Sequence, residues 1–141
     1  MFTRVKLSNG LTVANFSSPH SFKFTTGEIL EKCSPNWSRE MSLDIKESEK
    51  QMVLKDGTKS WTDVLLTISI PKNVLYNLAP IVELESIDIV IVPLMVLRAI
   101  QSLDEDTWEQ ENLKKILLSK CRTVRIADRV TKEIYPDKFC I

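Results

Sequence analysis

Two groups of polar residues have types and spacings that could carry chemistry. The first is Asn15, Ser17, Ser18 and His20, in the run NFSSPHS. A serine beside a histidine suggests a nucleophile with an imidazole base. Hydrolases of that kind need a strained elbow such as GxSxG, or a third group that orients the imidazole. Neither is visible here, and a lone histidine excludes a two-histidine phosphoesterase. Besides a catalytic role, two readings remain. In one, Ser and Asn side chains bond to backbone and hold a turn. In the other, Asn15, Ser17 and His20 contact the base or sugar of a ligand.

The second group lies in residues 120–141, KCRTVRIADRVTKEIYPDKFCI, the basic part of the chain. Arg122, Arg125, Arg129 and Lys132 could contact phosphate, because a guanidinium grips it with two parallel hydrogen bonds. On an unbroken strand Arg125 and Arg129 share one face. The competing reading is a solvated surface on which Asp128, Glu133 and Asp137 pair some of the charge. An extended RNA surface wants aromatics interleaved with the basic residues, and only Tyr135 and Phe139 qualify.

Three cysteines, Cys33, Cys121 and Cys140, complete the inventory. Cys121 lies between Lys120 and Arg122, a setting that favours thiolate if it is exposed. Structural zinc wants four Cys or His ligands at short spacings, and no two of these cysteines and His20 are close in sequence. Three free, mostly buried thiols in a reducing compartment is the simpler reading. The acidic run 103–111, LDEDTWEQE, reads as a solvated helix start, since no partner motif accompanies it. No P-loop, GxGxxG, HExxH or EF-hand pattern occurs. The residues therefore name no catalytic group, no metal and no cofactor.

The elements that must position these groups centre on Glu85–Ser102. Ile89, Val90, Ile91 and Val92 are consecutive and β-branched, as in a strand covered on both faces. Pro93 stops the pairing and suits a first helical position. The spacing predicts a strand over 87–92 and a helix over 93–102, with Asp88 near water. If that strand is parallel, its carboxyl end is where α/β folds place ligands.

Upstream, residues 3–16 read as a hairpin, with Asn9-Gly10 supplying the two positive φ values of a type I′ turn. A second hairpin carries Phe22, Phe24, Gly27, Ile29 and Leu30. Ser34-Pro35 could open a helical turn carrying Trp37. Met41, Leu43 and Ile45 alternate and read as a strand, and the charged segment 46–60 holds a turn at Asp56-Gly57 and a short edge strand at Met52–Leu54. Clean alternation predicts a strand over 61–70. A helix over 72–83, kinked or ended by Pro80, would complete a crossover to the strand at 87–92.

Thr107 and Gln110 fit a capping box for a helix over 108–119, with Trp108, Leu113, Ile116 and Leu117 on its apolar face. Val124 and Ile126 then share a strand face, and Val130, Lys132 and Ile134 alternate on the next. A turn near Asp128 separates them, and Phe139 and Ile141 suggest a docked end.

At 141 residues, 43% apolar and 27% charged, the chain reads as a single ordinary globular domain, 1–141. Its net charge of zero argues against a dominant attraction to nucleic acid or anionic membrane, though not against a local basic patch. MFTRVKLSNG has no apolar h-region, so no secretory signal is visible and a cytoplasmic location is expected. The long β-branched strands could pair edges between subunits, giving a homo-oligomer.

NGLTVANFSSPHSF, DIVIVPLMVL and KCRTVRIADRVTKEIYPDKFCI resemble parts of a small bacteriophage-type protein family to which no activity is attached. The resemblance covers most of the chain and transfers no residue roles. By analogy with small phage proteins of this class, it implies an anti-defence protein that sequesters a ligand or binds a host protein.

The expected fold is α+β: a mixed sheet with N-terminal hairpins, a central strand-helix unit at 87–102, and a C-terminal basic strand or hairpin. The expected function is non-catalytic binding of a small phosphorylated ligand, a nucleotide or signalling nucleotide. The alternatives are a protein–protein interaction module that inhibits a host enzyme, and a nucleotide-processing enzyme working through His20 or Cys121.

Overall fold

The computed structural model describes residues 3–34, 43–72, 74–75 and 84–141. In chain order the strands are β1 (Thr3–Lys6), β2 (Thr12–Asn15), β3 (Phe22–Lys23), β4 (Ile29–Leu30), β5 (Asp44–Val53), β6 (Ser60–Ser69) and β7 (Ile89–Ile91). Helices α1 (Leu94–Gln101) and α2 (Trp108–Lys120) follow, then β8 (Cys121–Ile126) and β9 (Ile134–Cys140). Five strands form the main sheet in the order β1-β2-β7-β8-β9, and β3-β4 and β5-β6 form two-stranded sheets. This is the expected α+β build with a mixed sheet.

The middle strand is β7, and both of its neighbours, β2 and β8, run parallel with it. Burial on both faces explains its unbroken β-branched run. Ala14 pairs with Val90, and both face a core shared with Val96, Leu97 and Ile100 of α1 and Leu117 of α2. One residue along, Val13 pairs with Ile89 and faces a second core with Ile91, Phe24, Leu30 and Ile134. Helices thus cover one face of the sheet and the β3-β4 hairpin covers the other. A strand covered twice has no polar side to alternate.

The first hairpin forms, but its turn is not type I′. Gly10 N–H donates to Leu7 C=O (3.0 Å), Leu7 N–H donates to Leu11 C=O (2.8 Å), and Gly10 takes φ +93°. This is a three-residue loop with glycine in the left-handed position. Asn9 keeps a negative φ and works through its side chain. Its Oδ1 accepts from Leu11 N–H (3.1 Å), and its Nδ2 donates to Pro136 C=O (2.8 Å).

Three further expectations change. The short edge strand expected at Met52–Leu54 is the end of a longer one, because β5 pairs with β6 over ten consecutive positions from Asp44↔Ser69 to Val53↔Ser60. That pairing sets Lys50 opposite Asp63, a favourable cross-strand pair. β6 pairs with β5 and is absent from the main sheet, so 61–70 and 87–92 do not form a crossover unit. Trp108 is 78% exposed. At the first helical position its side chain points back off the helix end and misses the apolar face. The capping box itself is present, with Thr107 Oγ1 accepting from Gln110 N–H (3.1 Å) and Gln110 Oε1 accepting from Thr107 N–H (3.2 Å).

The chain is helical at 72 and 74–75. The kink at Pro80, the turn carrying Trp37 and the residue Met41 lie outside the described residues.

Candidate functional site

Asn15 ends β2 and is fully buried, at 0% exposure. Its Nδ2 donates to the carbonyls of Ser18 (3.2 Å), His20 (3.3 Å) and Glu31 (3.1 Å), and its Oδ1 accepts from Ser18 N–H (3.0 Å). A buried amide with every group engaged is a bracket, not a ligand contact. It ties the 15–20 loop to the segment after β4. Cys33 reinforces it, with its thiol donating to the carbonyls of Asn15 (3.3 Å) and Phe16 (3.4 Å). Ser17 is buried and is not without a partner. His20 is exposed, and its backbone N–H donates to Ser18 Oγ (3.2 Å). Of the polar cluster, Ser18 is the member that lines a cavity.

That cavity is a cleft of about 240 Å³ at the carboxyl end of β7. It is lined by Ser18 and Phe22, by the strand–proline–helix junction from Ile91 to Leu94, and by Thr123 and Val124. Its position follows from the chain. Pro93 cannot continue the ladder, so the backbone leaves the sheet and α1 begins. The first turn of α1 has no side-chain cap and no acidic residue. Its N–H groups and the positive end of the helix dipole favour an anion there. The volume lies below the roughly 300–1,000 Å³ of typical small-molecule sites, so it suits one part of a ligand, such as a ring, with the rest of the molecule outside it. Phe22, Leu94, Thr123 and Val124 carried no functional signal of their own in the sequence. Only the strand–proline–helix junction pointed here.

The basic residues divide. Arg122 is half-buried, and its guanidinium donates to the carbonyls of Leu118 and Cys121, satisfying the last turn of α2. It positions the helix against β8. Arg125 is exposed and directly follows the cleft-lining pair Thr123 and Val124. The expected shared strand face of Arg125 and Arg129 does not form. β8 ends at Ile126, its ladder with β9 is irregular between Val124 and Ile126, and Arg129 lies in the turn that follows. That turn is held by Asp128, whose Oδ1 accepts from Val130 N–H (2.8 Å) and Thr131 N–H (3.3 Å). Val130 and Lys132 therefore belong to the turn and not to a strand. Lys132, at φ +60°, takes the left-handed position that no glycine was available to fill. Among the described residues no carboxylate forms a salt bridge with Arg125, Arg129 or Lys132.

Thiol chemistry loses its footing. Burial pushes the Cys121 thiol up to about 12, with the Arg122 charge opposing only weakly, and burial also raises Cys33. The charged neighbours of Cys121 cannot activate a thiol that faces the core. Among the described residues the His20 imidazole has no hydrogen-bonding partner to orient it, and no three His, Cys, Asp or Glu side chains gather as metal ligands. No described helix is long and apolar enough to cross a membrane.

One carboxylate joins the two N-terminal hairpins. Glu28 accepts from the Thr26 hydroxyl and from Ser8 N–H (2.9 Å), and these bonds, Thr26 first, hold its pKa at about 2 against the ordinary 4.5. The folded value lies below the unfolded one. Its stabilisation is therefore complete above pH 4.5 and lost as pH falls through about 2. Melting temperature should fall more steeply between those pH values in the wild type than in Glu28→Gln. The gap between the two proteins should close at the acid end.

No family model, curated protein or solved structure matches the chain.

Proposed function

We propose that the chain binds a small phosphorylated ligand, a nucleotide or signalling nucleotide, in the cleft after β7 and performs no reaction on it. The observation that carries this reading is the junction itself. A parallel strand opens into an uncapped helix beside an apolar-walled cleft, and the exposed Arg125 follows the lining residue Val124 in the chain. The first-turn N–H groups of α1 and the Arg125 guanidinium hold the phosphate. Phe22, Val92 and Leu94 pack against the ring, and Ser18 offers a hydroxyl. Arg129 and Lys132, exposed and outside the lining, would act only by attracting an anion, His20 lines no part of the cleft, and Asn15, Ser17 and Arg122 would keep the walls in place. With the resemblance to bacteriophage-type sequences, such binding would act in the cytoplasm to sequester a host signal and blunt immunity.

Thermal-shift measurements with mono-, di- and cyclic nucleotides test this reading. A ligand at 100 times its Kd should raise the melting temperature by about 9 °C. Arg125→Ala should weaken binding roughly 10- to 100-fold, as expected for one charge-assisted contact. An unchanged response in that variant, or no response to any nucleotide, overturns the proposal.

A second reading, a protein–protein interaction module acting on a host enzyme, is favoured by one observation. The β5-β6 ribbon exposes a row of large apolar side chains.

A further inference from the structure

Isolated two-stranded ribbons are marginal in water, and a third strand or a packed face is normally needed. The β5-β6 ribbon has ten uninterrupted pairs and no third strand among the described residues. Leu43 and Ile70, at its open end, pack on the helix-side core. Beyond that base most of its side chains are exposed. Ile45, Val64, Leu65 and Leu66 are 51–65% exposed.

Its two edges differ. β5 reads DIKESEKQMV, and its lysines and glutamates blunt pairing with another strand. β6 reads SWTDVLLTIS, with one charge, no lysine and no proline. That charge, Asp63, accepts from the Trp61 indole N–H (2.9 Å) of its own strand. The alternation of the ladder says which groups face outwards. Leu54 N–H donates to Lys59 C=O (3.0 Å), in the same register as every β5-β6 pair. Odd-numbered residues of β6 therefore direct their N–H and C=O groups to β5. Thr62, Val64, Leu66 and Ile68 turn theirs to the open edge.

We propose that β6 is a dimerisation edge, pairing antiparallel with β6 of a second copy of this chain about a two-fold axis at Leu65. This axis keeps inward and outward faces matched, as antiparallel pairing requires. Val64 then lies opposite the second copy's Leu66 and exchanges hydrogen bonds with it, and Thr62 does the same with the second copy's Ile68. Asp63 meets the second copy's Thr67, a hydroxyl able to donate to its carboxylate. Val64, Leu66 and Ile68, with Ile45 beside them, continue into the same row of the other copy, so each covers part of the other. The result is a four-stranded sheet whose outer edges are both β5. Those charged edges stop growth at two chains. A self-complementary, nearly uncharged edge fits a second copy better than an unrelated host protein, which would need an exposed strand of its own. None of the cleft residues lies on the ribbon, so the proposal stands apart from the ligand reading.

Light scattering on a sizing column should give a mass of twice 16.2 kDa for the wild type. Leu65→Lys places two ammonium groups face to face on the axis and should halve that mass. Leu65→Asp should do the same, and an equimolar mixture of the two variants should restore it. Amide exchange provides a test free of substitutions. In concentrated wild-type protein the amides of Thr62, Val64, Leu66 and Ile68 should be protected, and dilution should release them. A single-chain mass at every concentration overturns the proposal. So does a Leu65→Lys protein that keeps the mass of two, a mixture that fails to reassociate, or fast exchange at those four amides.

Discussion

Asn15→Ala should destabilise the protein by about 3 kcal/mol, well above what one average hydrogen bond contributes. The size follows from what is left behind. Ser18 N–H and His20 C=O lose the amide as partner. Each stranded polar group costs about 1–3 kcal/mol when water cannot reach it. The other two carbonyls are better insured. Ser18 C=O also accepts from Cys33 N–H (3.0 Å), and Glu31 C=O accepts from the Thr3 hydroxyl (2.8 Å). Asn15→Asp is the sharper test. It keeps the acceptor for Ser18 N–H but turns an oxygen towards three carbonyl oxygens. Repulsion and burial raise the pKa of the new carboxyl above its unfolded value. The penalty should therefore be greatest at neutral pH and shrink as pH falls and the protonated acid donates to one carbonyl. Urea denaturation reads both variants. With a slope of about 1.5 kcal/mol/M, Asn15→Ala should lower the midpoint by roughly 2 M. Because the bracket sets the loop carrying Ser18, the proposed nucleotide binding should weaken in the same variant.

Asn15 also shows how far the sequence could be read. The cluster of Asn, Ser and His residues was visible, but its polarity carries two meanings until burial is known. A short polar run can face a ligand or satisfy backbone, and the second wins here because β2 ends under the β3-β4 hairpin. Strands were legible wherever a local pattern settles the matter. The β-branched run at 89–92, the Thr107–Gln110 capping box and the alternation in 61–70 all describe elements that formed, the last as strand Ser60–Ser69. Partnership was not legible. The β6 pattern is the same for a strand in a central sheet as for one in a lone ribbon, and only the long-range pairing of β5 with β6 distinguishes them. Strand 44–53 was legible only at its ends, Ile45 and Met52–Val53, since the charged residues between are placed by register opposite β6 and not by a buried face. The basic tail failed on a single detail. Arg125 and Arg129 share a face only on an unbroken strand, and Asp128 folds the backbone into a turn between β8 and β9. The cleft was the least legible feature, because Phe22, Val92, Leu94 and Val124 look like core residues until a parallel strand stops at Pro93.

Phe16→Ala should cost about 4 kcal/mol, the other large effect expected from the described residues. Phe16 is fully buried in the helix-side core with Ala14, Val74, Leu84 and Leu97. Two losses add: the ring leaves its apolar surroundings, and the cavity left behind is walled by a sheet and two helices that can close in only partly. Phe16→Leu keeps most of the volume and should cost about 1.5 kcal/mol or less. The backbone is unaffected by either change, because Phe16 N–H, which donates to Ile91 C=O (3.1 Å), extends the β2-β7 pairing whatever the side chain. That separates this residue from its neighbour. Asn15 acts on the loop that walls the cleft, whereas Phe16 acts on the core beneath the sheet. Denaturation midpoints should fall in both alanine variants, but below the transition nucleotide affinity should drop only in Asn15→Ala. Equal loss of affinity in Phe16→Ala would mean that the cleft depends on the packing of the whole sheet, and not on the bracket that holds the 15–20 loop.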